Sequence, residues 1–427
     1  MQKNTTQKYL YFIAFMLMAS VFLPLVSRNV HIILNENLWA VIWVISLLLF
    51  YSKIFSNRLI EFTLAYGLFL FIASKTIWSS MDDANRATLF LEFYQIAIAI
   101  SIITYFIQSK DYIGLAKITK WSIIFLFITA IMTIISSAID PLYARNLTGV
   151  GGITSIKSEQ EVIVSIQRYG GGNYATAIAF MCLFPILIYY YKNIEISFIS
   201  KKQIIIFFII LLFALISMQI FAYILVAVAF IIIGLFGIKK IRQSILVCCL
   251  FFSVMVFIPK ESFTNTLISI SNLFERYTII NDRLKDLAIF IEHGADIEDV
   301  STEEGSRAER YPMLYEIFIK SPLFGIYFLS DKYGNQYQHI GAPHLYWMNK
   351  LTTTGIVGLL FFILIPYKNI KNNLQYFNST YKFYYILASL SIIIYGLLKA
   401  ITGGETWAVL FIILPGLYYL PLLNNKH

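Results

Sequence analysis

The arginine side chain and the glycine backbone N–H groups at residues 167–173 have the chemistry to bind a phosphate. Arg168 comes two residues before Gly170 and Gly171, just ahead of an apolar run. A guanidinium group can donate two hydrogen bonds to one phosphate, and N–H groups at a following helix N-terminus add a second anion contact. The alternative is an interfacial arginine that reaches water beside a glycine-rich turn, and the spacing alone leaves both interpretations open.

A second basic segment, residues 305–311, could present two guanidinium groups to one dianion. Arg307 and Arg310 are three residues apart, so on a helix they share a face, and Tyr311 follows them. The competing interpretation is a surface helix whose arginines pair with nearby glutamates. Charge runs usually have that structural role.

His344 is the candidate proton acceptor, because imidazole titrates near neutral pH. His339, five residues earlier, competes for this role, and a lone histidine is more often structural. Neither histidine has a partner at metal-ligand spacing, so no zinc site is predicted. Three cysteines in apolar runs (Cys182, Cys248 and Cys249) indicate neither a disulfide framework nor a metal site. No cofactor or metal is therefore predicted.

Four ionisable residues lie within or at the ends of apolar runs: Glu61, Glu92, Lys399 and Glu405. Charges inside a membrane are costly and usually face a cavity or a partner. Glu92 is the most informative of them, since it falls one turn inside its run and could contact substrate. Pairing with Arg168 or with a lysine of an outer loop would explain Glu92 equally well.

The elements that must position these residues are membrane helices. Of 427 residues, 58% are hydrophobic and only 13% are charged, and the mean hydropathy is +0.71. A soluble globular enzyme carries about twice that charged fraction, and a disordered chain is far less apolar. The net charge of +9 would suggest nucleic acid for a soluble protein, but in a membrane protein basic residues collect in cytoplasmic loops. We expect an all-α polytopic membrane protein with no nucleic-acid partner.

Twelve apolar runs are long enough to be candidate transmembrane helices. They are residues 9–26, 33–51, 59–74, 88–107, 118–139, 174–191, 203–217, 220–237, 245–259, 353–367, 382–399 and 405–420. With both termini inside, seventeen basic residues fall on the inner side and four in the short outer loops. This asymmetry favours a cytoplasmic N-terminus, and it favours a hairpin at Met218 and Gln219 over one long helix.

The predicted organisation alternates membrane helices with two long outer loops. Helices one to five occupy residues 1–139, helices six to nine residues 174–259, and helices ten to twelve with a C-terminal tail residues 353–427. The loops are residues 140–173 and 260–352, and the second has helical periodicity at 272–291 and 303–320. All the candidate phosphate-binding and proton-accepting residues fall in these loops, on the predicted outer side.

With these motifs in place, the chain resembles the O-antigen polymerase and ligase family, the Wzy and WaaL type of membrane glycosyltransferase. The resemblance rests on three signatures in order. They are Arg168 followed by Gly171, Arg307 with Tyr311 followed by a Pro-Leu-Phe-Gly turn at 322–325, and His344 before Gly-Ile-Val-Gly at 355–358. Two positions depart from the family pattern: Leu345 stands where asparagine is usual, and Met218-Gln219 where Ser-Arg is frequent.

The resemblance implies transfer of a glycan from undecaprenyl pyrophosphate to a sugar hydroxyl at the outer face of the bacterial inner membrane. In that scheme His344 accepts the hydroxyl proton, Arg168 and Arg307 stabilise the departing pyrophosphate, and Arg310 is a weaker third cation. The expected reaction is a single inverting displacement without metal. Implied partners are the lipid-linked oligosaccharide, membrane lipid, and assembly proteins such as a flippase and a chain-length regulator.

Two alternatives stay open at this point. A ligase of the same family would use the lipid A–core oligosaccharide as acceptor, whereas a polymerase uses another lipid-linked repeat unit. We favour the polymerase because Leu345 and a tyrosine-rich second loop suggest a groove fitted to one repeat unit. A transporter of lipid-linked oligosaccharide is more remote, because the two halves of the chain are dissimilar.

Overall fold

A computed structural model describes the greater part of the chain. The described residues are 2–29, 35–79, 83–139, 170–194, 199–218, 221–237, 243, 260–273, 281, 284–285, 288, 312, 314–326, 346–398 and 403–424. Across these ranges the regular structure is entirely helical, with no strand. This confirms the all-helical class predicted from the sequence.

Fourteen α-helices are numbered here in chain order. They are α1 (Gln2–Phe22), α2 (Pro24–Asn29), α3 (Glu36–Phe50), α4 (Arg58–Thr76), α5 (Asp83–Gln108), α6 (Tyr112–Ile139), α7 (Tyr174–Lys192), α8 (Lys201–Ser217), α9 (Phe221–Phe236), α10 (Lys260–Leu273), α11 (Tyr346–Leu374), α12 (Ser379–Leu398), α13 (Gly404–Ala408) and α14 (Leu414–Leu417). A π-helical turn, Val409–Ile413, joins α13 to α14, and short 3₁₀ turns cover Ser52–Ser56 and Leu420–Leu423. Residues 314–320 are also helical.

Polar side chains determine where several of these apolar helices begin. Asn35, Asn57, Asn173 and Ser200 each accept a hydrogen bond from a backbone N–H in the first turn of the helix that follows. Such caps satisfy amides that have no partner within the helix. Asn173 and Ser200 form reciprocal capping boxes with Thr176 and Gln203.

Helix α7 lies at the centre of the bundle. It packs against α8, α9, α12 and α13, and its side chains from Ala175 to Tyr190 are all buried. Buried hydroxyls on the neighbouring helix α6 are satisfied by backbone carbonyls: Thr129 Oγ1 donates to Phe22 O at 2.7 Å and Thr133 Oγ1 to Thr129 O at 2.7 Å. An apolar helix with no solvent-facing side belongs in the core of a helical bundle.

Five described helices are long and apolar enough to cross a membrane: Arg58–Thr76, Leu89–Gln108, Tyr112–Ile139, Tyr174–Lys192 and Tyr346–Leu374. Shorter apolar helices cover Glu36–Phe50, Val226–Phe236 and Gly404–Leu417. The predicted span 245–259 lies outside the described residues, and the total of twelve spans stays a prediction.

The helix bounds differ from the sequence-based ones mainly around the second long loop. Helix α11 begins at Tyr346, seven residues before the predicted span, because residues 346–352 form its first turns. Helix α10, Lys260–Leu273, precedes the helix predicted at 272–291. Helices α8 and α9 end and begin at Ser217 and Phe221, which is where the sequence placed the break between the two spans.

Candidate functional site

An ion pair inside the bundle joins α5 to α11. The Nζ atom of Lys350 donates to the Glu92 carboxylate, and the Tyr346 hydroxyl donates to the same carboxylate. Lys350 is 9% exposed and Tyr346 is 5% exposed. The lysine Nζ also lies 5.2 Å from the ring centroid of Phe362, a distance at which an aromatic face attracts a cation.

The burial of this pair has a clear physical consequence. A buried charge is tolerated only when it is paired and hydrogen-bonded, and removing one partner leaves the other uncompensated. Glu92 receives both a cationic and a neutral donor, so its carboxylate is stabilised in place. Since Tyr346 and Lys350 are one turn apart, the first turn of α11 is held against α5.

A second polar contact holds the start of α7. Asn173 Nδ2 donates to Glu405 Oε1 at 3.2 Å, and Gly172 N donates to Thr133 Oγ1 at 2.9 Å. Gly170 has φ +63° and its Cα lies against the backbone of Leu25, so a Cβ there would come within 2.5 Å of Leu25 Cα. Gly170 therefore permits the close approach of this segment to α2.

Glu36 and Gln95 connect these two polar contacts. A Cβ built on Gly404 would lie 2.7 Å from Glu36 Oε1 and 3.4 Å from Gln95 Nε2, so both side chains touch the start of α13. Gln95 is three residues from Glu92 on α5, and Gly404 adjoins Glu405. Described contacts thus run from Lys350 through α5 and α13 to Asn173, which connects the starts of α11 and α7.

The two glycine motifs noted in the sequence meet each other in the structure. Gly355 has φ +68° and ψ −174°, which breaks α11 into two parts, and the 322–325 turn inserts at the break. Ile356 N donates to Pro322 O at 2.9 Å, Val357 N to Leu323 O at 3.1 Å, and Ile326 N to Thr352 O at 2.8 Å. The turn satisfies the backbone groups that the break releases.

Both glycines at this junction are required by space as well as by conformation. A Cβ on Gly325 would lie 2.5 Å from Gly355 N, and one on Gly355 would lie 2.3 Å from Leu323 O. Trp78 Nε1 also donates to Gly325 O at 3.4 Å, which ties α4 to the turn. We call residues 322–326 together with 352–357 the glycine clasp.

The glycine clasp extends to the helical residues 314–320. Thr352 Oγ1 donates to Leu314 O at 3.2 Å, and Leu314 and Ile317 are buried. The helix that follows the arginine segment 305–311 is therefore packed on α11. Its two buried aliphatic side chains account for this anchoring.

All three predicted catalytic residues and two of the predicted substrate-binding residues lie outside the described residues. These are Arg168, Arg307, Arg310, Tyr311 and His344. Gly170, Gly171 and Glu92 are described, and the structure brings Glu92 together with a lysine of the predicted outer loop, one of the two partners considered from the sequence. Glu61 lies in the first turn of α4, and Lys399 is not among the described residues.

Sequence reasoning did not single out Glu36, Gln95 or Lys350. Glu36 falls in the first turn of a predicted span, so the rule that intramembrane charges mark a partner or cavity could have found it. Lys350 lies three residues before the predicted start of the tenth span and looked like a loop residue. Gln95 is uncharged and gave no signal.

The described residues offer carboxylates and donors rather than a metal centre. Within the described ranges, no group of three or more His, Cys, Asp or Glu side chains could hold a metal ion. Glu36, Gln95 and Tyr94 line a cavity of about 10 Å³ beside Gly404, which has room for about one water molecule.

These features define a helical membrane protein with a polar cluster at the predicted outer end of its bundle and a broken helix beside it. Residues 203–363 match the family model described as O-antigen ligase (Wzy_C). The match includes the glycine clasp, Lys350, Arg307 and His344, and it confirms the resemblance over this part of the chain. No curated protein and no solved structure matches the chain.

Proposed function

We propose that the protein joins undecaprenyl-pyrophosphate-linked oligosaccharide repeat units into a surface polysaccharide such as O-antigen. One observation supports this most strongly: the three segments that carry the candidate residues directly precede helices that are linked to one another. Arg168 comes two residues before Gly170, Arg310 four before Leu314, and His344 two before Tyr346. The contacts described above link the helices that follow these segments, which supports the proposal that the three segments act in one reaction.

In the proposed reaction, a sugar hydroxyl of the acceptor attacks the anomeric carbon of the donor. His344 takes the hydroxyl proton as the new glycosidic bond forms, and the bond from the anomeric carbon to pyrophosphate oxygen breaks. Arg168 and Arg307, with Arg310, stabilise the charge on the departing undecaprenyl pyrophosphate. A single displacement of this kind inverts the anomeric configuration and needs no metal.

Glu92 has a positioning role in this proposal. By holding Tyr346 and Lys350, it orients the turn of α11 that follows His344. Glycosyl transfer is sensitive to misplacement of a base by about 1 Å, so this support matters for rate. Gly170 and Gly171 similarly set the chain direction just after Arg168.

A large apolar cavity supports the proposal that the substrate is lipid-linked. It has a volume of about 440 Å³ and lies between α11 and α12, with Trp347 and Trp407 among its lining residues. Trp347 is three residues from Lys350, so the cavity adjoins the polar cluster. A polyprenyl donor needs room for its isoprenoid chain beside the residues that bind its pyrophosphate.

The ligase alternative differs only in the acceptor. Deletion of the gene separates the two activities: single-repeat caps on the lipid A–core identify a lost polymerase, whereas long lipid-linked chains and bare core identify a lost ligase. The polymerase proposal rests on Leu345 and on the tyrosines of the second loop.

Reconstituted elongation tests the reaction itself. Purified protein in vesicles should lengthen lipid-linked repeat units at the outer face, in the presence of a chelator, without moving the donor across the bilayer. Arg307→Ala and His344→Ala variants that insert normally should each lose polymer length. Full-length polymer from both variants would refute the assignment, and donor transport without elongation would favour the transporter.

A further inference from the structure

A cavity at the opposite, predicted cytoplasmic end of the bundle has no role in the proposed reaction. It has a volume of about 500 Å³ and lies between α6, α7, α8 and the C-terminal residues. That volume falls within the range of small-molecule and lipid sites, about 300–1,000 Å³. Ile206 on its rim is 53% exposed, so the cavity opens to the surroundings of the bundle.

The lining of this cavity is polar at one end and apolar at the other. Each of the three helices contributes a polar residue near its predicted inner end and an apolar residue one or two turns deeper. The three pairs are Lys120 with Phe127, Tyr190 with Leu183, and Gln203 with Phe207. Asn424, which follows the last helix, adds a further polar group at the same end. This polarity matches a molecule with a polar head and a hydrocarbon chain.

The charge of the cavity lining indicates an anionic head group. The described lining contains one basic residue, Lys120, and no acidic residue. Lys120, Lys201 and Lys202 are exposed at this end, and Lys201 Nζ lies 5.8 Å from the Tyr191 ring centroid. Basic pockets between membrane helices on the cytoplasmic side attract anionic lipid headgroups.

We propose that this cavity binds an anionic phospholipid of the inner leaflet, with its phosphate at Lys120 and one acyl chain extending toward Phe127 and Phe207. The site is separate from the polar cluster, because it is formed by the inner ends of α6 and α7 and the start of α8.

Native mass spectrometry of the purified full-length protein tests the proposal, with added phosphatidylglycerol or phosphatidylcholine of identical acyl chains. One lysine near a headgroup contributes a factor of about five in affinity, so phosphatidylglycerol should bind about fivefold tighter. Lys120→Gln should abolish this preference. Lys117→Gln, an exposed lysine on the same helix that does not line the cavity, should retain it.

A second variant tests the acyl-chain part of the site without changing charge. Ile123 lines the cavity and is half-buried, so Ile123→Trp should occupy the space and lower binding of both lipids. Equal binding of the two lipids to the unaltered protein would overturn the proposal, as would equal losses from Lys120→Gln and Lys117→Gln. Displacement of phosphatidylglycerol by undecaprenyl phosphate at equal concentration would overturn it too, since the cavity would then belong to the donor.

Discussion

The two ends of the helix bundle use different polar contacts to hold their helices together. At the predicted outer end, carboxylates join the helices: Glu92 accepts from Lys350 in an ion pair, and Glu405 accepts a hydrogen bond from Asn173. At the inner end, neutral tyrosine hydroxyls donate to helix carbonyls, as Tyr381 does to Leu414 O at 2.6 Å. An ion pair is a costly way to hold helices together, so the Glu92–Lys350 pair at this end indicates a need for charge there.

The inner end shows what purely structural polar contacts look like in this protein. Tyr384 Oη donates to Gly234 O at 3.2 Å, and Lys192 Nζ donates to the same carbonyl at 3.0 Å. These donors satisfy the carbonyl groups at the end of α9, which have no partner within the helix. The rings of Tyr189, Tyr381 and Phe377 pack edge to face around them. No carboxylate takes part in these contacts.

The largest expected effect is on catalysis at the outer end. His344→Gln should lower the elongation rate by about 100-fold to 10,000-fold, which is the usual contribution of a general base. As the proposed base, His344 must be neutral to accept a proton, so acidification should slow chain elongation. Initial rates of chain elongation measured between pH 5 and 8 report both effects.

His339→Gln is the matched control for this substitution. It should keep both the rate and the acidic limb of the pH profile. A rate profile that moves with His339 rather than His344 would reassign the base.

The Glu92 ion pair should show the next largest effect. Lys350→Met leaves the partly exposed Glu92 carboxylate without its cation and should destabilise the protein by up to about 3–5 kcal/mol. The double substitution Glu92→Gln with Lys350→Met removes both charges and should recover most of that stability. The free energy of unfolding in mixed detergent micelles measures the difference, and equal losses from the single and double variants would show that the pair is not coupled.

Gly325 and Gly355 of the glycine clasp should not tolerate a side chain. Gly355→Ala places a Cβ against the Leu323 carbonyl at a positive φ and should cost several kcal/mol, of which backbone strain accounts for about 1–3 kcal/mol. Gly234→Ala is the control, since its Cβ would meet side-chain carbons alone, Ile188 Cδ1 at 3.1 Å and Leu387 Cδ2 at 3.7 Å. Unfolding midpoints that match for the two variants would contradict the close approach.

The smallest effect belongs to the inner end. Tyr381→Phe removes one hydrogen bond to Leu414 O and should cost about 0.5–1.5 kcal/mol of stability. The length of the polysaccharide product should not change, because this contact serves packing alone. A shortened product from a stably inserted variant would mean that the two ends are not separable.

The sequence predicted the helices better than the contacts between them. Apolar runs gave the approximate bounds of α4 to α9, because a backbone in lipid must form its hydrogen bonds within a helix. Glu92 and Lys350 are 258 positions apart in the sequence. The residues around either one do not indicate that the two side chains pair. The motifs at 322–325 and 355–358 were recognised one by one, but only the fold shows that they bind each other. The early start of α11 was missed because residues 346–352 are too polar to read as a membrane helix.

The glycine clasp couples the 322–326 segment to helix α11. Three backbone hydrogen bonds join the 322–326 segment to the broken part of α11, so neither can shift without the other unless those bonds are given up. A displacement of the 322–326 segment would therefore be transmitted directly into α11 at the point where Gly355 breaks the helix.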